Sequence, residues 1–135
     1  MSFSNATETD IANKIFTAVA LPEDAATIID IHLHTDNPDE AGISTTYEAN
    51  YGSYAFQEVA RTTAGWTVTG AVTTNDGTIS FPTCSGSTNA ITYVSLCWHG
   101  STKIIVSGAL NGGGVSVSTG IQPQFAPNAL SITLD

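Results

Sequence analysis

Residues 27–35 alternate strictly. Ile29, Ile31 and Leu33 fall on one side of an extended chain, and Asp30, His32 and His34 fall on the other. A period of two fits a half-buried strand and does not fit a helix. The pattern returns along the chain. Val94, Leu96 and Trp98 oppose Ile91, Tyr93 and Cys97, a run with both faces apolar. Ile104, Val106 and Leu110 share one side of 102–110, and Val115 and Val117 begin a further strand. Leu130, Ile132 and Leu134 alternate with Ser131 and Thr133. Tyr54 and Phe56 share a face of 53–60, and Trp66, Val68 and Val72 mark an extended run in which Gly70 reads as a bulge. Ile79 and Phe81 make a short strand that Pro82 ends. Turn residues separate these runs about every 8–12 positions. They include Pro38, Gly42 and Gly52, the Asn75-Asp76-Gly77 turn with a positive φ expected at its glycine, and the flexible Asn111-Gly112-Gly113-Gly114 end. The expected fold is all-β, an antiparallel β-sandwich or jelly-roll-like barrel of about 7–9 strands.

One segment has a different period. Ile11, Ile15 and Val19 recur at helical spacing over 7–19, with Ala12 and Phe16 beside them. Thr7 or Thr9 can cap the start, Glu8 and Asp10 suit the positive end of the helix dipole, and Pro22 ends the segment. A helix this short needs a packing partner, either its own sheet or a neighbouring subunit. Residues 1–135 therefore read as one β-sandwich domain whose first 20 residues form a helical arm.

Composition agrees with exposed strands. Only 11% of residues are charged, against about 25% in an average soluble domain. Thr (20) and Ser (13) carry the polar role instead, and β-branched Thr sits well on a pleated surface. The net charge is −9, and residues 1–60 hold ten acidic side chains against Lys14 alone. Phosphate neutralisation needs the opposite sign, so nucleic-acid binding is excluded as an expectation. The acidic excess serves either solubility or docking on a basic partner surface. No stretch approaches the roughly 20 apolar residues of a membrane span. Met1–Asp10 has no basic n-region and no apolar run, so synthesis in a host cytoplasm is expected.

Several motifs occur in a defined order. They begin with Asn13-Lys14-Ile15-Phe16, a strand ending Leu33-His34-Thr35, and a Pro38-Asp39-Glu40-Ala41-Gly42 loop. Gly52-Ser53-Tyr54-Ala55, Trp66 and Ile79-Ser80-Phe81-Pro82-Thr83 follow. Val94-Ser95-Leu96-Cys97-Trp98, Ser107-Gly108-Ala109-Leu110 and Ala129-Leu130-Ser131-Ile132-Thr133-Leu134-Asp135 complete the series. In this order they resemble a family of small phage virion proteins commonly labelled tail-fibre proteins. Three departures stand out. Asp39 replaces the glycine of a P-G-E-x-G loop, Phe56 replaces an arginine, and His99-Gly100 follows Trp98 where the family has aspartate. The resemblance implies a virion structural role. The chain has no heptads or repeated β units from which to build a shaft. The expectation is therefore a capsid decoration or cement protein, a homotrimer bound to the major capsid protein or other virion proteins. The alternative is a tail or fibre-tip component that binds a host-surface glycan or protein.

No nucleophile elbow, P-loop or Cys–His signature appears, and 61–135 holds only Asp76 and Asp135 as acids. A polysaccharide-cutting enzyme, which needs two carboxyls about 5–10 Å apart, is the weakest reading. The chain reads as a non-enzyme with no cofactor. Candidate partner-interface residues are Ile11, Ile15 and Phe16 of the arm, with Tyr47 and Tyr51 on the surface of the polar 36–52 loop. Trp98 reads as core. Asp30, His32 and His34 share a strand face and make a weak metal alternative, the bland reading being a polar face with His34 tying down the next loop. Asp36, Asn37, Asp39 and Glu40 offer oxygens for calcium, but their spacing is not that of an EF-hand and a turn explains them equally. Cys84 and Cys97 match no zinc spacing. Cys97 reads as a small core hydrophobe, and a Cys84–Cys97 disulfide would require neighbouring strands and an oxidising setting.

Overall fold

The computed structural model describes residues 1–133. Leu134 and Asp135, expected at the end of the last strand, lie outside the described residues. The chain order is β1 (Ser2–Phe3), α1 (Asn5–Phe16), β2 (Ile28–His34), β3 (Gln57–Ala60), β4 (Trp66–Thr69), β5 (Val72–Asn75) and β6 (Ile79–Ser80), then β7 (Asn89–Ile91), β8 (Tyr93–Trp98), β9 (Ile104–Ala109), β10 (Val115–Val117), β11 (Gln124–Phe125) and β12 (Ser131–Thr133). All pairings are antiparallel. The count exceeds the expected 7–9 because β1 and β11 are two-residue pieces too short to show alternation, and because the run from Trp66 to Val72 divides into β4 and β5 and the run over 91–98 into β7 and β8.

The main sheet has the order β1-β9-β8-β2-β3. It is open at β1 and β3, so the architecture is a sandwich and not a closed barrel. Register explains which residues share a face. Ile31 pairs with Leu96 and Leu33 with Val94, while Leu96 pairs with Val106. Together they make one apolar face. The three-stranded sheet β12-β5-β4 and the ribbons β10-β7 and β11-β6 supply the opposing layer. Trp66, Ile79, Ile91, Val117 and Ile132 from those pieces join Ile31, Leu33 and Leu96 in one core cluster. Burying each such side chain contributes roughly 1.5–3 kcal/mol.

Two turns differ from expectation. Gly70 is not a bulge; it opens the two-residue β4–β5 loop with φ +63°, where a side chain would be strained. Gly77 has no positive φ, and the fully buried Asn75 organises that corner instead. Its Nδ2 donates to the carbonyls of Gly77 and Ala126 at 2.7 and 2.9 Å, and its Oδ1 accepts from the Leu130 N–H at 2.8 Å. The bulge lies elsewhere, where Leu96 pairs with Val106 but Cys97 pairs with Ile104.

The other face of the main sheet is polar and carries a second covering layer. Asp30, His32 and His34 line it together with Ser95, Cys97 and Ser107. Residues 40–48 and the first turn of α1 lie over it. Ser44 N–H donates to Thr102 O at 2.8 Å, and Asn5 N–H to Glu40 O at 3.1 Å. The helix starts two residues before the expected position because Ser4, not Thr7 or Thr9, is the cap. Ser4 Oγ accepts from the Thr7 N–H at 3.3 Å, and its hydroxyl also reaches the Ile104 carbonyl. The helix ends at Phe16, short of Val19.

Candidate functional site

The arm does not bury its apolar stripe. Every residue from Ile11 to Ala20 is exposed. Ile15 is 67% exposed, Phe16 83% and Val19 55%. Only the first turn of α1, through Ser4 and Thr7, enters the fold. Of the two partners allowed by the sequence, the chain's own sheet is ruled out for this stripe. Both sides of the arm are nevertheless fastened. Lys103 pairs with Asp10 and with Glu23, the latter at 3.1 Å. Arg61 Nη1 donates to the carbonyls of Glu23 and Ala26 at 3.1 and 3.0 Å, and its guanidinium lies 4.9 Å from the Trp98 ring centroid. Trp98 is buried, as expected.

The two loop tyrosines separate. Tyr47 is 57% exposed and holds φ +52°, unusual for an aromatic residue. Its carbonyl accepts from the Thr35 N–H at 2.8 Å, which fixes the turn. Tyr51 corrects the expectation of a surface residue. It is buried in the core cluster, its hydroxyl donating to Pro82 O at 3.0 Å, and it cannot serve an interface. Loop composition concealed this, because the ring points inward from a backbone that runs along the surface.

The three polar residues of β2 do share a face, but they do not act together. His34 is fully buried between Thr46 O and Ser95 Oγ, at 2.8 and 2.7 Å. A carbonyl can only accept, so Nδ1 carries the proton and Nε2 accepts from Ser95. Ser95 has then spent its hydroxyl proton, and the Cys97 thiol donates to Ser95 Oγ across 3.5 Å. Burial lowers the His34 pKa and pushes the Cys97 thiol up to about 12. His34 thus ties down the following loop and has no lone pair left for a metal. His32 Nδ1 meets Glu48 Oε1 at 2.6 Å, and its ring stacks on Phe56 with centroids 4.7 Å apart. Asp30 turns to His99, whose Nδ1 lies 2.8 Å from Asp30 Oδ1 and 3.9 Å from Glu58 Oε1. Hydrogen bonding to Asp30 holds the His99 pKa above the usual imidazole value. The grouping of Asp30, His32 and His34 as one metal set is therefore corrected. Among the described residues, the potential ligand atoms that converge belong to Asp30, Glu58 and His99.

In the 36–42 loop, the side-chain oxygens of Asp36, Asn37 and Asp39 each accept a hydrogen bond from the loop's own N–H groups. This is the turn reading. Gly42 is needed there, since a Cβ would come 1.7 Å from Pro38 O. Cys84 and Cys97 are free, buried thiols. An apolar cleft of about 440 Å³ opens between the main sheet and β12-β5-β4, with Ile29, Leu96 and Val106 on one wall and Trp66 and Ile132 on the other. Trp66 Nε1 has no hydrogen-bond partner among the described residues.

A family model described as Podophage GP4 fiber I protein gp80 matches residues 2–133. The chain belongs to that family. A search of the curated proteins found no match. This gp80-family chain is thus a phage fibre-type protein, and the family is a structural one, which agrees with the non-enzymatic reading. No helix among the described residues is long and apolar enough to cross a membrane. Its motif loops do identifiable work: Gly42 permits the close turn on Pro38, and Asp39 takes φ +66° where the resemblance calls for glycine.

Proposed function

We propose that the chain is a non-enzymatic surface module of the phage virion, attached at the fibre apparatus through α1. The observation that carries this is the unburied stripe of Ile11, Ile15 and Phe16 on a helix whose root is firmly capped, with exposed Val19 just beyond its end. A 12-residue helix is marginal without packing, and a clustered apolar surface of this kind suits a partner. The arm is rimmed by Glu8, Asp10, Glu23 and Asp24, and Lys103 is already engaged by two of them. The fitting partner is another virion protein that offers an apolar groove with a basic rim. Exposed Tyr47 extends the candidate contact surface, and a homotrimer is the proposed assembly.

A second reading, capsid decoration, is favoured by shape. One small sandwich carries no shaft and suits a repeated position on a shell. Such a protein would bind only the assembled shell and stabilise it by mass action. Quantitative mass spectrometry of purified virions separates the two. A small number of copies relative to the major capsid protein is expected for the fibre assignment. Near-equal copies would replace it with decoration, and absence from the particle would remove both.

A further inference from the structure

We propose a divalent transition-metal site, with Zn²⁺ as its natural occupant, formed by Asp30, Glu58 and His99. These residues come from β2, β3 and the turn after β8, and their ligand atoms all lie within 4.8 Å of one another. Three features point to a cation at this position.

The first is charge. Asp30 and Glu58 are directly paired across β2 and β3. Like charges in that relation destabilise a sheet. The second is the state of Asp30. Its side chain is only 4% exposed, and among the described residues the hydrogen bond it accepts comes from His99. A carboxylate can accept about four hydrogen bonds, so it keeps acceptor capacity for a ligand on the side that opens to the neighbouring pocket. The third is geometry. The His99 nitrogen stands 2.8 Å from one carboxylate and 3.9 Å from the other. Ligands around tetrahedral zinc, each about 2.0–2.1 Å from the metal, sit about 3.3 Å apart. Glu58 and His99 are both exposed enough to make the shifts, about half an ångström or more, that this arrangement needs.

The donor set is one imidazole and two carboxylates, with no thiolate. It suits zinc and its first-row neighbours better than magnesium, which prefers oxygen alone. Cys97 lies opposite Asp30 on β8, but its thiol is buried, protonated and engaged with Ser95. Asp30 and His99 open onto a pocket of about 330 Å³ in which Ser101 and Thr102 also stand. Water can therefore complete the coordination shell. A metal here would staple edge strand β3 to the turn after β8, across the intervening strand β2.

The test is isothermal titration of the full, tag-free chain with ZnCl₂, compared with MgCl₂. His99→Ala and Glu58→Gln alter exposed groups, and circular dichroism establishes that each variant folds. The expected result is saturable one-to-one zinc binding, at least tenfold weaker in each variant, with a zinc-dependent rise in Tm that EDTA reverses. No saturable binding in the unaltered chain would overturn the proposal. So would undiminished binding in His99→Ala, because that variant retains His32 and His34 and would place the metal with them.

Discussion

Asp39 shows how one side chain can accommodate a backbone built for another. It sits at φ +66°, a region that costs most L-residues about 1–2 kcal/mol and that Asp and Asn tolerate best. Its carboxylate accepts the Glu40 N–H at 2.7 Å, and its own N–H donates to Asn37 Oδ1. The local hydrogen bond offsets the strain. Asp39→Ala should lose that bond and keep the strain, so it is expected to destabilise by about 1–2 kcal/mol in urea unfolding. Asp39→Gly removes both and should stay within about 1 kcal/mol of the parent, since the gain in φ freedom is opposed by unfolded-state entropy. Residue-level chemistry was partly readable in the sequence. That His34 would tie down a loop was implied by the resemblance, through the Leu33-His34-Thr35 motif that precedes the loop. That Glu58 and His99 would meet Asp30 was not readable. They lie 28 and 69 positions away along the chain, and only the register of β2 with β3 and β8 brings them together. Asn75 was read as a turn residue for a related reason. The carbonyl of Ala126 and the N–H of Leu130, which give it a larger role, come from the far end of the chain.

Among the elements, β2, β8 and β9 were legible because each has one apolar face against a common core, and a buried face writes its period into the sequence. The two-residue β1 and β11 were not, since two residues cannot display a period, whereas β6 was read from Ile79 and Phe81 before Pro82. The arm is the instructive case. Its helical spacing was clear, but the expected start at Thr7 missed the cap, because Ser4 is held by the Ile104 carbonyl of a distant strand. The same spacing suggested a packing partner, yet the stripe stays exposed. If the stripe exists for a partner, its loss should spare the fold. Ile15→Asp with Phe16→Asp is expected to change unfolding free energy by no more than about 1 kcal/mol, since the positions are exposed. The same double variant should fail to join virions when it replaces the parent in a complementation experiment. Normal incorporation would show that α1 is not the attachment element.

Across the whole molecule, charge is as unevenly placed as structure. The net charge is −9, and residues 1–60 hold ten of the twelve acidic side chains. Attachment to a basic-rimmed partner should therefore weaken as salt rises from about 0.05 to 0.5 M, where the Debye length shrinks to a few ångströms. Pull-down of the partner across that range measures it, and salt-independent attachment would assign the acidic excess to solubility.

The way the arm is rooted also has a mechanical meaning. Its N-terminal end is fastened through β1 and Ser4 to β9, and its C-terminal end runs through the Arg61 clamp into β2. Those two strands flank β8 in the same sheet. A grip on α1 is therefore a grip on a handle fixed at both ends. Tension transmitted from a moving fibre would divide between two strands of one hydrogen-bonded plate, and neither margin of the sheet would have to unzip alone.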